Sequence, residues 1–137
     1  MIKGKAGRNV LVIPCLIFAK LAHKDAIISI DVSEPNNDLL ATASEDNTIR
    51  YWDLRMNSSI KQFVDPAFKE TGLSSVKISR DGSQLYAAAG AQVYAFDIKT
   101  EKVLINESQK QIPLCGDEIN QIQISEDGRF LAGCDDS

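Results

Sequence analysis

Hydrophobic residues along the chain fall in short runs broken by polar turns, and the runs repeat. Displacing the sequence by 46 positions superposes it on itself twice. Ile27 then falls on Leu73 and Ile119, Ile30 on Val76 and Ile122, Val32 on Ile78 and Ile124, and Ser33 on Ser79 and Ser125. Polar Asp31, Lys77 and Gln123 separate the last two apolar positions of each copy. Apolar–polar–apolar spacing is that of a strand with one buried face. After the shared serine each copy turns, at 34–38, 80–83 and 126–129. The last two turns contain Asp-Gly, whose glycine accepts the positive φ of a tight reversal.

A second strand is predicted at 39–44, 84–89 and 129–134, rich in small residues, as in a strand crowded on both faces. The first copy turns again at 45–47 and the second at Gly90 and Ala91. Third strands are predicted over 48–54 and 92–98, and fourth strands over 58–64 and 101–107. Each complete copy is a four-stranded antiparallel meander of about 45 residues, and that period predicts the blades of a β-propeller. The expected fold class is all-β, an incomplete propeller of about two and a half four-stranded antiparallel blades. The blades are expected at 21–66, 67–112 and, in part, 113–137. Residues 1–20 read as an outer strand of a preceding blade or as a non-native segment. The third copy stops at Ser137, in the turn after its second strand. A propeller closes a ring of about 4–8 blades. The sequence therefore reads as a piece of a longer protein. The alternative is a truncated or misannotated product with no independent function, whose bare blade edges invite aggregation.

Residues 21–54 carry a more specific signal. His23 stands in the loop before the first strand, and Trp52-Asp53 closes the third. This stretch resembles a WD repeat, with Ala22 where that family has glycine. The second copy is degenerate, with Phe96-Asp97 in place of Trp-Asp and no histidine before its first strand. The third matches the pattern as far as it extends. The resemblance implies a row of hydrogen-bonded side chains locking the first blade: Asp46, His23, Ser44 (or Thr42) and Trp52. The chemistry is coherent, because a carboxylate fixes the imidazole tautomer, the ring bonds a hydroxyl and the hydroxyl accepts from the indole N–H.

The same side chains could be taken for a catalytic triad. His23 is the sole histidine, and its partners all fall at structural positions of the repeat, so the structural reading is preferred. Glu45 and Asp46 form a carboxylate pair, which a solvated turn and a blade-locking aspartate explain. No phosphate-binding glycine loop or metal-ligand spacing is present, so no cofactor, metal or catalytic residue is expected. An enzyme on a propeller scaffold remains the less favoured alternative.

Trp52, Asp53 and Arg55 form the pattern Trp-Asp-x-Arg. Within the WD-repeat family this resembles the motif of substrate receptors for a cullin-RING ubiquitin ligase, whose arginine helps dock onto the ligase's propeller adaptor. The bland reading is a solvated loop charge. The second copy ends Phe-Asp-Ile-Lys and offers no second motif. The implied function is a non-enzymatic scaffold for protein–protein interactions. Residues 55–62 and 64–72 read as loop and outer strand, and Tyr51, Tyr86 and Tyr94 as interface aromatics or fillers between blades.

Composition narrows the classes further. The 137 residues are 44% hydrophobic and 25% charged, with net charge −4. That is the balance of a folded globular chain and argues against a nucleic-acid partner, which needs a basic face. Residues 1–20 carry +4, while the other 117 hold 11 basic and 19 acidic groups. Cys15, Cys115 and Cys134 are odd in number and widely spaced, so a reducing compartment, cytoplasm or nucleus, is expected. The apolar run at 9–19 contains Pro14 and is too short to span a bilayer, so no membrane role is expected. It reads as a strand or, less well, as part of a signal peptide.

Overall fold

A computed structural model describes residues 2–3, 9–10, 22–34, 38–56, 58–104 and 117–136. Two short strands, β1 (Ile2–Lys3) and β2 (Asn9–Val10), pair antiparallel. The strand or signal-peptide readings of 9–19 otherwise lie outside the described residues.

The first repeat forms a sheet of four strands in sequence order: β3 (Ile27–Val32), β4 (Leu39–Ser44), β5 (Ile49–Asp53) and β6 (Ser58–Phe63), all antiparallel. The second forms three: β7 (Leu73–Ile78), β8 (Gln84–Ala89) and β9 (Gln92–Asp97). Its expected fourth strand is represented by one bridge, Phe96 to Val103, and residues 105–107 lie outside the described part. The third contributes β10 (Gln121–Ile124) and β11 (Leu131–Cys134).

The shared serine has a physical role in the first turn of every repeat. Its hydroxyl accepts the backbone N–H that opens the next strand: Ser33 from Leu39 at 3.3 Å, Ser79 from Gln84 at 2.8 Å and Ser125 from Phe130 at 3.0 Å. Gly82 and Gly128 take φ of 71° and 70° in these turns, as the Asp-Gly pairs predict.

The sheets pack face to face. Ala41, Ala43, Ile49, Tyr51 and Phe63 of the first meet Val76, Ile78, Leu85, Ala87, Tyr94 and Phe96 of the second in the main core. Ala88 meets Ile119 and Ile122 in the second joint. Tyr51 and Tyr94 are thus buried between sheets, and Tyr86 is half-buried beside the second joint. Small alanines on β4 and β8 let both faces of these strands be covered.

Residues 64–72, expected as loop and outer strand, instead contain a helix, α1 (Pro66–Thr71). The local sequence explains it. Asp65 caps the start by accepting the Ala67 N–H at 2.9 Å, Pro66 stands in the first turn, Lys69 lies in the last turn, and Gly72 ends it at φ 76°. The helix buries Phe68 edge-on against Tyr94 and Phe96, with ring centroids 5.5 and 6.0 Å apart.

Candidate functional site

Two groups of side chains in the first sheet hold the residues singled out by the sequence. The first runs through its outer face. His23 Nδ1 lies 2.9 Å from Asp46 Oδ2, His23 Nε2 lies 2.8 Å from Thr42 Oγ1, and the Trp52 indole N–H donates to the same Thr42 oxygen at 2.9 Å. Thr42 has one hydroxyl hydrogen. Accepting from Trp52, it can donate that hydrogen to Nε2, which leaves the Nδ1 hydrogen for Asp46. Every member is then satisfied in one consistent tautomer.

The central hydroxyl is therefore Thr42, and Ser44 stands apart from the row. Both side chains project from the same face of β4. Leu40 pairs with Trp52 and Thr42 with Arg50, so the indole reaches Thr42 diagonally, while Ser44 lies beyond at the strand's end. Ser44 serves the turn instead, donating to the Asp25 carbonyl at 3.2 Å and accepting the Asp46 N–H at 3.1 Å. Thr48, absent from the sequence-based set, donates to Asp46 Oδ1 at 2.6 Å and lies 3.2 Å from His23 Nδ1.

Burial of Asp46 opposes its charge. The Thr48 hydroxyl, the Lys24 N–H and His23 outweigh that and lower its pKa from 3.8 to about 2. A carboxylate with a depressed folded value stabilises the fold above the unfolded value and loses that contribution as pH falls toward the folded one. Asp46→Asn is expected to cost about 1–3 kcal/mol near neutrality, the range for disrupting a buried polar group. Its deficit relative to the parent should shrink between about pH 4 and pH 2. Denaturant midpoints of the two proteins across that range would check it.

The order Asp46–His23–Thr42 copies that of a triad. Thr42, however, is fully buried, and its oxygen already accepts from Trp52. Among the described residues no His, Cys, Asp and Glu group is placed to hold a metal.

The second group ends β5. Trp52 and Asp53 are 2% and 7% exposed, whereas the Arg55 side chain is 67% exposed. Of the three motif residues, only the Arg55 side chain is exposed; Trp52 and Asp53 are buried. Asp53 takes the Arg55 fork through both oxygens, at 2.9 and 2.6 Å, and accepts the Arg55 N–H at 2.9 Å. These bonds lower the Asp53 pKa to about 2 and raise that of Arg55. A cleft of about 340 Å³ opens beside Arg55, with Glu34, Asp38, Arg80 and Asp81 among its walls.

A further set escaped the sequence reading although the repeat contains it. Ser29 accepts the Val76 N–H at 3.1 Å, Asp31 accepts the Ile78 N–H at 2.8 Å, and Ser75 accepts the Ile122 N–H at 3.2 Å. Ser29 and Ser75 occupy the same position of successive repeats, and each latches its first strand to the first strand of the next sheet. Asp31 also pairs with Lys77 at 3.0 Å. Hydroxyls recurring at one repeat offset were the available signal.

Antiparallel sheets of four, three and two strands joined in this way, with an Asp–His–Thr–Trp row in the first, define a class, the WD-repeat propellers. Residues 15–53 match the family "WD domain, G-beta repeat", and the chain belongs to the WD-repeat family as part of a propeller. Among particular relatives, it is 32% identical over 117 residues to a WD repeat-containing protein 53 homolog of Dictyostelium discoideum, covering 85% of this chain and 31% of that protein. It is 43% identical over 65 residues to eukaryotic translation initiation factor 3 subunit I of Aspergillus oryzae, covering 47% and 18%. The Neurospora crassa subunit I is 40% identical over 63 residues, covering 46% and 17%. The chain thus spans less than a third of the length of these curated relatives. Among the described residues no helix is long and apolar enough to cross a membrane.

Proposed function

We propose that the chain is part of a non-enzymatic scaffold that binds other proteins inside the cell, and that it serves as a substrate receptor of a cullin-RING ubiquitin ligase. Arg55 is the contact with the ligase's propeller adaptor, and Asp53 and Trp52 position it. The reading rests on one observation above all: Arg55 is 67% exposed while its fork is fixed by a largely covered carboxylate. An exposed arginine held in one geometry loses little freedom on binding, and its guanidinium suits bidentate and stacked contacts. The Asp46–His23–Thr42–Trp52 row holds the blade on which the motif sits.

The test is capture of the purified adaptor by the folded protein. Arg55→Ala is expected to lower capture at least tenfold, with Arg55→Lys in between, because an ammonium keeps the charge and loses the fork. Both variants should keep the parent's circular dichroism. Undiminished capture by Arg55→Ala would remove the ligase reading. A second reading, a structural subunit of a larger assembly, is favoured by the 65-residue likeness to the initiation-factor subunit and would survive that result.

A further inference from the structure

The cleft beside Arg55 lies between turns of the first two sheets. Glu34, Asp38 and Leu39 flank the turn from β3 to β4, Arg55 follows β5, and Arg80 and Asp81 stand in the turn from β7 to β8. Its volume of about 340 Å³ is at the lower end of the range of ligand pockets, about 300–1,000 Å³, and suits an inserted side chain. Most of its charges are committed. Asp53 holds the Arg55 fork from behind. The Arg80 guanidinium donates to the Glu126 carbonyl, which is not among the walls. Asp81 accepts from the Ser79 and Ser83 hydroxyls and from the Ser83 N–H.

Glu34 and Asp38 differ. Neither carboxylate makes a hydrogen bond or an ion pair with the described residues, and Asp38 gives Arg55 only its field. Asp38 is half-buried, and its carbonyl accepts the Leu54 N–H at 2.7 Å, which fixes its backbone at the cleft wall. Four carboxylates, Asp53 included, stand here against two guanidiniums, so an acidic visitor is repelled. Leu39 adds an apolar wall. A long cationic side chain matches both features, with its methylene stem along Leu39 and its charged head at Asp38 and Glu34. We propose that this cleft receives a lysine or arginine side chain of the ligase's propeller adaptor, a proposal that rests on the ligase reading above and adds to it the charge the adaptor must present.

Arg55 stands at the rim of the same cleft. Asp53 occupies its Nε and Nη2 side, so the guanidinium offers a partner its remaining N–H groups. With acids on either side of it, those groups suit neutral backbone carbonyls of the segment that carries the basic side chain. The arginine and the cleft thus read one segment by two chemistries, an acceptor for Arg55 and a cation for Asp38 and Glu34.

The experiment is capture of the purified adaptor by the folded chain, read as a Kd at low and at high sodium chloride. Asp38→Asn should weaken capture about tenfold, Glu34→Gln less, and Asp38→Lys more than either. Glu118→Gln removes the same charge from the exposed loop before β10, at the opposite end of the strands, and should leave capture unchanged. Capture by the parent should weaken as salt rises, and that of Asp38→Asn should weaken less steeply. All variants should keep the parent's circular dichroism. Capture that Arg55→Ala weakens but both Asp38 variants leave alone would overturn the cleft and spare the ligase reading. Stronger capture by Asp38→Asn would mean an acidic segment in the cleft and overturn it too. So would an equal loss in Glu118→Gln, which would reflect net charge alone. Undiminished capture by Arg55→Ala, or no capture by the parent, would remove the ligase reading and the cleft's role with it. Should Asp38→Lys fail to fold, Asp38→Asn and Glu34→Gln against Glu118→Gln decide.

Discussion

Trp52→Ala is expected to destabilise the protein by about 3–5 kcal/mol, the range for truncating a large buried aromatic side chain. Trp52 is 2% exposed, packs with Leu40, Ile27 and Val32, and donates its indole N–H to Thr42. Alanine removes the packing and the hydrogen bond together. Trp52→Phe separates them, since it keeps most of the ring and loses the donor. Thr42 can still donate to His23, so the phenylalanine variant should lose about 1 kcal/mol, near a net hydrogen bond. Chemical denaturation of the parent and both variants would give the two values. Equal losses would mean that the hydrogen bond, not the packing, is what Trp52 supplies. A marginal fold holds about 5–15 kcal/mol in all, so the alanine variant should melt far below the parent.

Phe68→Ala carries the second large effect, again about 3–5 kcal/mol. Phe68 is fully buried and meets both Tyr94 and Phe96, while Phe63 lies 5.4 Å from Phe96 on the other side. In the second repeat this aromatic cluster replaces the polar row of the first. Phe96 stands for Trp52 and Ala87 for Thr42, and no histidine precedes the strand, so Phe68 fills the space with an apolar ring. Phe68→Leu keeps most of the volume and should cost no more than about 1.5 kcal/mol. Phe68→His, which places the family's ring type near this position, should not rescue the alanine loss, because Ala87 offers no hydroxyl to bond. Thermal melts of the three variants would rank them; a histidine variant as stable as the parent would contradict this account of the second repeat.

The strands were legible because their signals are local and repeated. Period-two alternation and Asp-Gly turns place β3–β5 and β7–β11 within a few residues of where they form. The third repeat's β11 begins at Leu131 rather than Arg129, and its residues alternate between half-buried and exposed, where crowding on both faces was expected. Small residues announce room for a neighbour, and they do so whether or not one is there. Helix α1 shows a different limit. Asp65, Pro66, Lys69 and Gly72 give start and stop signals over eight residues, but the repeat period assigned that stretch to loop and outer strand, and the period prevailed. The choice between Thr42 and Ser44 was out of reach of the alternation, which puts both on one face; the β4–β5 register decided it. The burial of Trp52 and Asp53 beside an exposed Arg55 depends on how β5 ends, and no motif conveys it.

The central claim is that the repeats stack as consecutive blades latched strand to strand. Residue-resolved amide exchange in dilute solution tests it most directly. The Val76, Ile78 and Ile122 N–H groups are bonded to side chains of the neighbouring sheet, not to their own. They should be protected to the level of the β8 core, while the Ile30 amide, at the equivalent position of the first sheet, should exchange quickly. Rapid exchange at Val76, Ile78 and Ile122 alongside protected strand pairs would show separate sheets and contradict the account.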